Sequence, residues 1–300
     1  MLTAAAAAQA PTIAEINFYG LHRVSPARIL EALKLKAGDL LPGSKAQMED
    51  AISEIPGVVL ARVEAVCCEG PGAVLFIGVE ERGVVHPSFR TPPEGSAALP
   101  ENVLELYSQL PGSTDELKSY TTEHLDLVRD IVRNASGADQ RAVAAALLAY
   151  APAPAVVIDD LQYALQDPDE SVRANAARSL GSLAEANAPL AAKVSPTWLV
   201  QMLNSVALSD RLEAAKALVT LTDRPNPSAI SQMRERALDA LAEMARWKTP
   251  RYALAPYLLL GRVAGLSEAD VQRSWEKGDA ESVIRKALGA PAGRKPRGLQ

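Results

Sequence analysis

Three histidines, two cysteines and one adjacent pair of aspartates are the residues with which this chain of 300 could do chemistry. His22, His86 and His124 lie far apart in sequence. None has a second histidine, cysteine or carboxylate at a metal-ligand spacing such as H-x-x-x-H. Asp159 and Asp160 are neighbours on a predicted helix, so their carboxylates diverge and make no general acid–base dyad. A helix N-terminus, where negative charge is favoured, accounts for them. Cys67 and Cys68 are adjacent, and neighbouring Cα atoms sit about 3.8 Å apart. Disulfides usually span roughly 4.4 Å or more, so a vicinal disulfide is not expected. If Cys67 faces the core, Cys68 points outward, but a reactive thiol needs a nearby cation, and Arg62 is too far along the strand. No G-x-S-x-G, no P-loop and no G-x-G-x-x-G after a strand is present. The expectation is a protein without catalytic, cofactor-binding or metal-binding residues.

The elements that would position these residues follow from composition and pattern. Hydrophobic residues make up 48% of the chain and aromatic residues only 4%. That balance favours close packing of alanine- and leucine-rich helices over a sandwich or barrel. A net charge of −5 and a pI near 5.4 speak against nucleic acid, whose phosphates need a basic footprint. No apolar run nears the roughly 20 residues of a membrane-spanning helix. Residues 1–11, MLTAAAAAQAP, read as the end of a secretion signal, with Ala6-Ala7-Ala8 before Gln9 as a small-x-small pattern, or else as an alanine-rich tip.

Residues 12–83 form a first unit. Ile13–Phe18 is a short apolar strand. Ser25-Pro26 opens a helix through Ile29, Leu30 and Leu33, and Ser44 caps a second with Met48, Ile52 and Ile55. From Val58 to Cys68 a period of two predicts a strand, with Val59, Ala61, Val63, Ala65 and Cys67 on one face. Glu69-Gly70-Pro71-Gly72 is a hairpin turn, and Val74–Glu81 returns. This β-α-α-β-β order resembles a POTRA domain. The resemblance rests on Ile16-Asn17-Phe18-Tyr19-Gly20, Val24-Ser25 with Ile29 and Leu33, Ala37-Gly38-Asp39-Leu40-Leu41, Ile55-Pro56-Gly57-Val58 and Val79-Glu80-Glu81. It implies partner binding by strand addition at a sheet edge, here Val58–Cys68, with Arg62 and Glu64 on its outer face. The family usually carries several copies in tandem or a membrane anchor; one copy is seen here.

Residues 84–100 hold several prolines and read as a linker or a strap across the next domain. Residues 101–288 are helical, and 289–300 form a basic, Gly/Pro-rich tail. The best-patterned stretch is Asp167–Glu185. Asp167-Pro168 is a turn, Ser171 a plausible N-cap, and Val172, Ala176, Leu180 and Leu183 make one helix face. Arg173-x-x-Ala176-x-x-x-Leu180 recurs from Arg141, Arg211 and Arg234. The first two copies stand 32 and 38 residues away, a spacing that fits helix pairs. The D-P-x-x-x-V-R-x-x-A-x-x-x-L-G pattern, Asp167 to Gly181, resembles HEAT repeats. That resemblance implies a ladder of Asp and Arg between repeats, with Asp167, Arg173, Arg141 and Arg211 as its members. Asn175, Arg178, Glu213 and Lys216 then fall at matching outer positions, a candidate binding surface.

The expected molecule is an α+β N-terminal domain followed by an all-α helical-repeat, HEAT-like solenoid. Its expected function is a non-enzymatic protein-interaction scaffold of the bacterial cell envelope or periplasm. Its partners are proteins, it binds no nucleic acid, and it meets a membrane only through a partner. One alternative is a HEAT-like lyase-type enzyme or modifying factor, which needs a cleft with convergent carboxylates or an arginine clamp. Another is a cytoplasmic HEAT scaffold for nucleic acid, which needs a basic groove.

Overall fold

The computed structural model describes residues 10–67 and 72–289. They fall into two compact units, one built on residues up to His86 with Val206–Leu208, the other on Pro87–Ser205 and the residues from Ser209 on. The signal-like start, the turn at Glu69-Gly70-Pro71, Cys68 and the basic tail lie outside the described residues.

In the first unit β1 (Ile13–Tyr19), α1 (Pro26–Leu33), α2 (Lys45–Ser53), β2 (Val58–Val66) and β3 (Ala73–Glu81) follow one another. The sheet order is β1-β3-β2, with β3 central, parallel to β1 and antiparallel to β2. Ser25 and Ser44 cap the two helices, their hydroxyls accepting from the amides of Arg28 and Gln47. Ile29, Met48 and Ile52 of the helices close on Ala61, Val63, Leu75, Ile77 and Val79 of one sheet face, and removing these side chains from water supplies the driving force.

Two expectations for β2 are corrected. A register shift between Val58 and Leu60 turns Val58 inward and leaves Val59 56% exposed, because a bulge inserts an unpaired residue and flips what precedes it. At the other end Cys67 is exposed and disulfide-bonded. The expectation of an unbridged, core-facing Cys67 therefore does not hold.

The end of β3 is fastened by Glu81. Its carboxylate accepts from three consecutive backbone amides, those of His22 (2.8 Å), Arg23 (2.8 Å) and Val24 (3.0 Å). Burial pushes the Glu81 carboxyl up, but these amides and the nearby His22 charge outweigh it and hold it below the ordinary carboxylate value. His86 contacts the Glu81 backbone carbonyl at 3.1 Å through Nε2. Two of the three histidines thus meet the same residue.

The second unit is helical throughout. Its elements are α3 (Glu101–Ser108), α4 (Thr114–Glu123), α5 (Leu125–Asn134), α6 (Ala138–Leu147), α7 (Ile158–Ala164), α8 (Glu170–Ala186), α9 (Ala188–Ala191), α10 (Thr197–Met202), α11 (Leu208–Leu221), α12 (Pro227–Arg236), α13 (Leu238–Met244), α14 (Pro250–Val263), α15 (Glu268–Glu276) and α16 (Ala280–Gly289). Within it α5 packs on α6 and α7, α6 and α7 on α8, and α13 on α14. Val172, Ala176, Leu180 and Leu183 of α8 are buried as one face. Gly181 lies against Ala217 of α11, close enough that an added Cβ would sit 3.5 Å from its Cα.

Some local readings change. Asp169, not Ser171, caps α8, its side chain accepting from the amides of Ser171 (2.9 Å) and Val172 (3.3 Å). Between α4 and α5 the helix breaks at His124, whose φ is −122°. Thr121 and Thr122 donate their hydroxyls back to Leu117 and Lys118 carbonyls, a competition that bends helices. The copy at Arg234 is no repeat helix. Arg234 lies in the last turn of α12, and Ala237 then breaks the helix before α13.

Residues 87–100 form a strap against the helical unit. The Arg90 amide donates to Gln166 O at 2.9 Å, Gly95 to Asn134 O at 2.8 Å and Leu99 to Gln140 Oε1 at 2.8 Å. An added Cβ on Gly95 would meet Asn134 O at 2.4 Å, so only glycine lets the strap lie this close.

Candidate interaction surface

Buried arginines stand in the first turns of α6, α8 and α11. Arg141 reaches forward to Asp167 with a two-pronged contact, Nε to Oδ2 at 2.7 Å and Nη2 to Oδ1 at 2.8 Å. Its other nitrogen turns back to the carbonyls of Ala135 and Ser136, both at 2.9 Å. Arg173 repeats the device. It grips Asp210 through Nε and Nη2 at 2.9 and 2.7 Å, and it ties down the carbonyls of Asp167 (2.7 Å) and Pro168 (2.9 Å). Arg211 donates to Ser205 O at 2.6 Å and reaches Glu243 at 3.2 Å. Each arginine therefore pins its own turn and bonds the next pair of helices. The planar fork of arginine suits this double task and the point charge of lysine does not.

Asp210 was not visible as a rung in the sequence. In the repeat register it replaces Val172, while Ser205 stands where Asp167 stands. The structure reunites the two, since Ser205 Oγ donates to Asp210 Oδ2 at 2.7 Å. Burial pushes the Asp210 carboxyl up, and Arg173, Ser205 and Arg211 draw it back without returning it to the ordinary value. Phe89 of the strap covers the Arg173 guanidinium, 3.7 Å from its ring centre, and so keeps water from this rung.

The four residues read as outer positions form one connected string. Arg178 Nη1 donates to Asn175 Oδ1 at 2.8 Å, Arg178 Nη2 lies 3.3 Å from Glu213 Oε1, and Lys216 Nζ lies 3.0 Å from the same oxygen. Asn175 itself is buried, against expectation. Its amide donates to Ala142 O at 2.8 Å and to the Tyr107 hydroxyl at 3.2 Å, so it serves packing between α6 and α8. The side chains of Arg178 and Lys216 are 55% and 58% exposed, and Glu213 between them fixes both cations across two neighbouring repeats.

At the sheet edge β2 is the outer strand, but it is guarded. The Val63 amide donates to Glu49 Oε1 at 2.9 Å, and Arg62 Nη1 donates to the Ala61 carbonyl at 3.1 Å. Glu64 pairs with Lys45 of α2. Arg62 and Glu64 thus take up α2 and the strand's own carbonyl, a common way to protect an edge from unwanted pairing. The outward direction of Val63 recurs at Ala65 two residues on, beyond the guarded segment.

Asp159 is exposed while Asp160 is buried, so the pair diverges. Among the described residues no three His, Cys, Asp or Glu gather at metal-binding distance, and no helix is long and apolar enough to cross a membrane. A cleft of about 390 Å³ beside α8, α9 and α11 is rimmed by Glu185, Asp223 and Arg224, all solvent-exposed.

The α7–α8 hairpin carries the full ladder motif, with Asp167 in its turn and Arg173 in its second helix. Residues 157–186 match the family model of the HEAT repeat. No curated protein matches the chain. The HEAT match covers one helix pair, and the Arg141 and Arg211 rungs extend the same construction to its neighbours. HEAT repeats commonly mediate protein interactions, and the unit around this match is helical.

Proposed function

We propose that this protein is a non-enzymatic interaction scaffold of the bacterial cell envelope, with a POTRA-like N-terminal unit and a HEAT-like helical unit that binds protein partners. The observation that carries the reading is the string Arg178–Glu213–Lys216, whose two cations are exposed. It spans α8 and α11, and Glu213 holds both cations while leaving them open to solvent. An acidic or mixed-charge protein surface is the complementary partner. Support for the POTRA-like assignment comes from the β-α-α-β-β order, the outer position of β2 and the Glu81 fastening at the Val79-Glu80-Glu81 motif. The envelope setting rests on the signal-like start and on the company such domains keep.

A second contact by strand addition at β2 requires Glu49 to release Val63. Ala65→Pro removes an outward amide while sparing the bonds to β3. Affinity capture from an extract of the native host with this folded variant is expected to lose those proteins that reach the sheet edge. Capture identical to that of the unaltered chain would sink the strand-addition part of the proposal.

A further inference from the structure

Away from the ladder and the α8–α11 string, the second unit carries an arginine cluster. Arg129 and Arg133 sit one turn apart on α5, and both donate through Nε to the same carboxylate, Asp160 of α7, with Arg129 at 2.6 Å. Asp160 is 1% exposed, whereas the side chains of Arg129 and Arg133 are 38% and 36% exposed. Because Nε makes the anchor, the terminal nitrogens are left over. Both of those on Arg133, and Nη2 of Arg129, make no hydrogen bond with a described residue, and Arg129 Nη1 lies 3.8 Å from the fully exposed Asp126.

Arg90 of the strap joins this pair. Its guanidinium lies 3.2 Å from the centre of the Tyr163 ring, and that of Arg133 lies 4.7 Å from the same ring. Arg90 Nη2 donates to the Tyr163 carbonyl at 2.9 Å, but its buried Nε has no partner. Burial pushes the Arg90 guanidinium down, Asp167 draws it up, and the like charges of Arg133 and Arg141 push it down again. The two buried carboxylates nearby are already taken, Asp160 by Arg129 and Arg133, Asp167 by Arg141. The cluster is left with more cationic charge than its buried acids offset, and with forked donors already held in place.

We propose that Arg129 and Arg133, joined through Asp160, together with Arg90, which shares the Tyr163 ring with Arg133, bind an oxyanion, a phosphate or carboxylate group brought to this face from outside the chain. Guanidinium forks match both groups in geometry and charge. Asp160 acts as a positioning residue, since anchoring Nε removes side-chain freedom before the ligand arrives. The site is independent of the Arg178–Lys216 surface and does not need that reading to hold.

The test is an NMR titration of the labelled full-length protein with inorganic phosphate, chloride holding the ionic strength constant, read at the Nε–H signals of Arg129 and Arg133. Saturable shifts are expected. Arg133→Gln should weaken the binding about ten-fold or more, the loss of one charge-assisted fork, and Lys277→Gln should leave it unchanged. A parallel titration with a hexaglutamate peptide separates the two sources: tighter saturation by phosphate assigns a phosphate group, tighter saturation by the peptide assigns a carboxylate segment. Linear, unsaturating shifts with both probes would overturn the proposal. So would undiminished binding in Arg133→Gln or, where that variant unfolds, in Arg133→Lys, which keeps the charge beside Asp160 but lacks the fork.

Discussion

Asp167→Ala is expected to cost the helical unit about 3–5 kcal/mol, the usual result of removing one partner from a buried ion pair. The side chains of Arg141 and Asp167 are 2% and 1% exposed, so the stranded guanidinium cannot recover its hydration without opening the stack. The loss has a second component, because Asp167 Oδ1 also accepts the Asp169 amide at 2.9 Å and so shapes the turn that starts α8. Replacing both partners by leucine should restore part of the loss, since apolar groups can substitute for a buried pair, while the carbonyls of Ala135 and Ser136 and the Asp169 amide stay unpaired. Chemical denaturation of the single and double variants, followed by far-ultraviolet circular dichroism, measures both. A loss below about 1 kcal/mol for Asp167→Ala, in the range of an exposed pair, would mean that the ladder is ornamental.

Glu81→Ala is expected to destabilise the first unit by about 2–3 kcal/mol, because three amides lose a charged acceptor together. The same residue sets an acid sensitivity. Its carboxyl is held below the ordinary value in the fold, so its contribution is complete above the unfolded-state pKa of about 4.3. The contribution fades as pH falls from there through the lowered folded value. Hydrogen exchange of the β1 and β3 amides in the full-length protein, measured from neutral to acid pH, reads this directly. The unaltered protein should lose protection across that acid range. Glu81→Ala should start lower and show a flatter acid-side dependence. Equal slopes in the two would refute the role given to this carboxylate.

What the sequence disclosed and what it hid divide along one physical line. The α8 pattern from Val172 to Leu183 was readable because helix periodicity is a local property, and the arginine rungs at 141, 173 and 211 because they recur at the repeat spacing. Their acceptors were harder. Asp210 sits one position before an arginine, where the neighbouring repeat has valine, and only folding brings it beside Ser205. Asp160 looked like a helix-end charge, yet its partners Arg129 and Arg133 lie a whole repeat upstream in α5. The strap was recognisable from its prolines, but nothing local marked Phe89 and Arg90 as lids on Arg173 and Tyr163. On β2 the expected phase holds at Ala61 and Val63, and one bulge at Val59 reverses only the faces before it. Asn175 shows the same limit from the other side. Its helical position looked exposed, and α3 covers it through Tyr107.

The central claim is that the Arg178–Glu213–Lys216 string on α8 and α11 is where a protein partner docks. The most direct test compares affinity capture from the native host by the unaltered full-length chain and by Arg178→Glu/Lys216→Glu, with circular dichroism and melting temperature confirming that the variant remains folded. Reversal of both cations leaves three negative charges around Glu213, so the predicted result is loss of the main captured protein and its recovery on restoring the two cations. Capture of the same protein in the same yield by the folded variant would contradict the account.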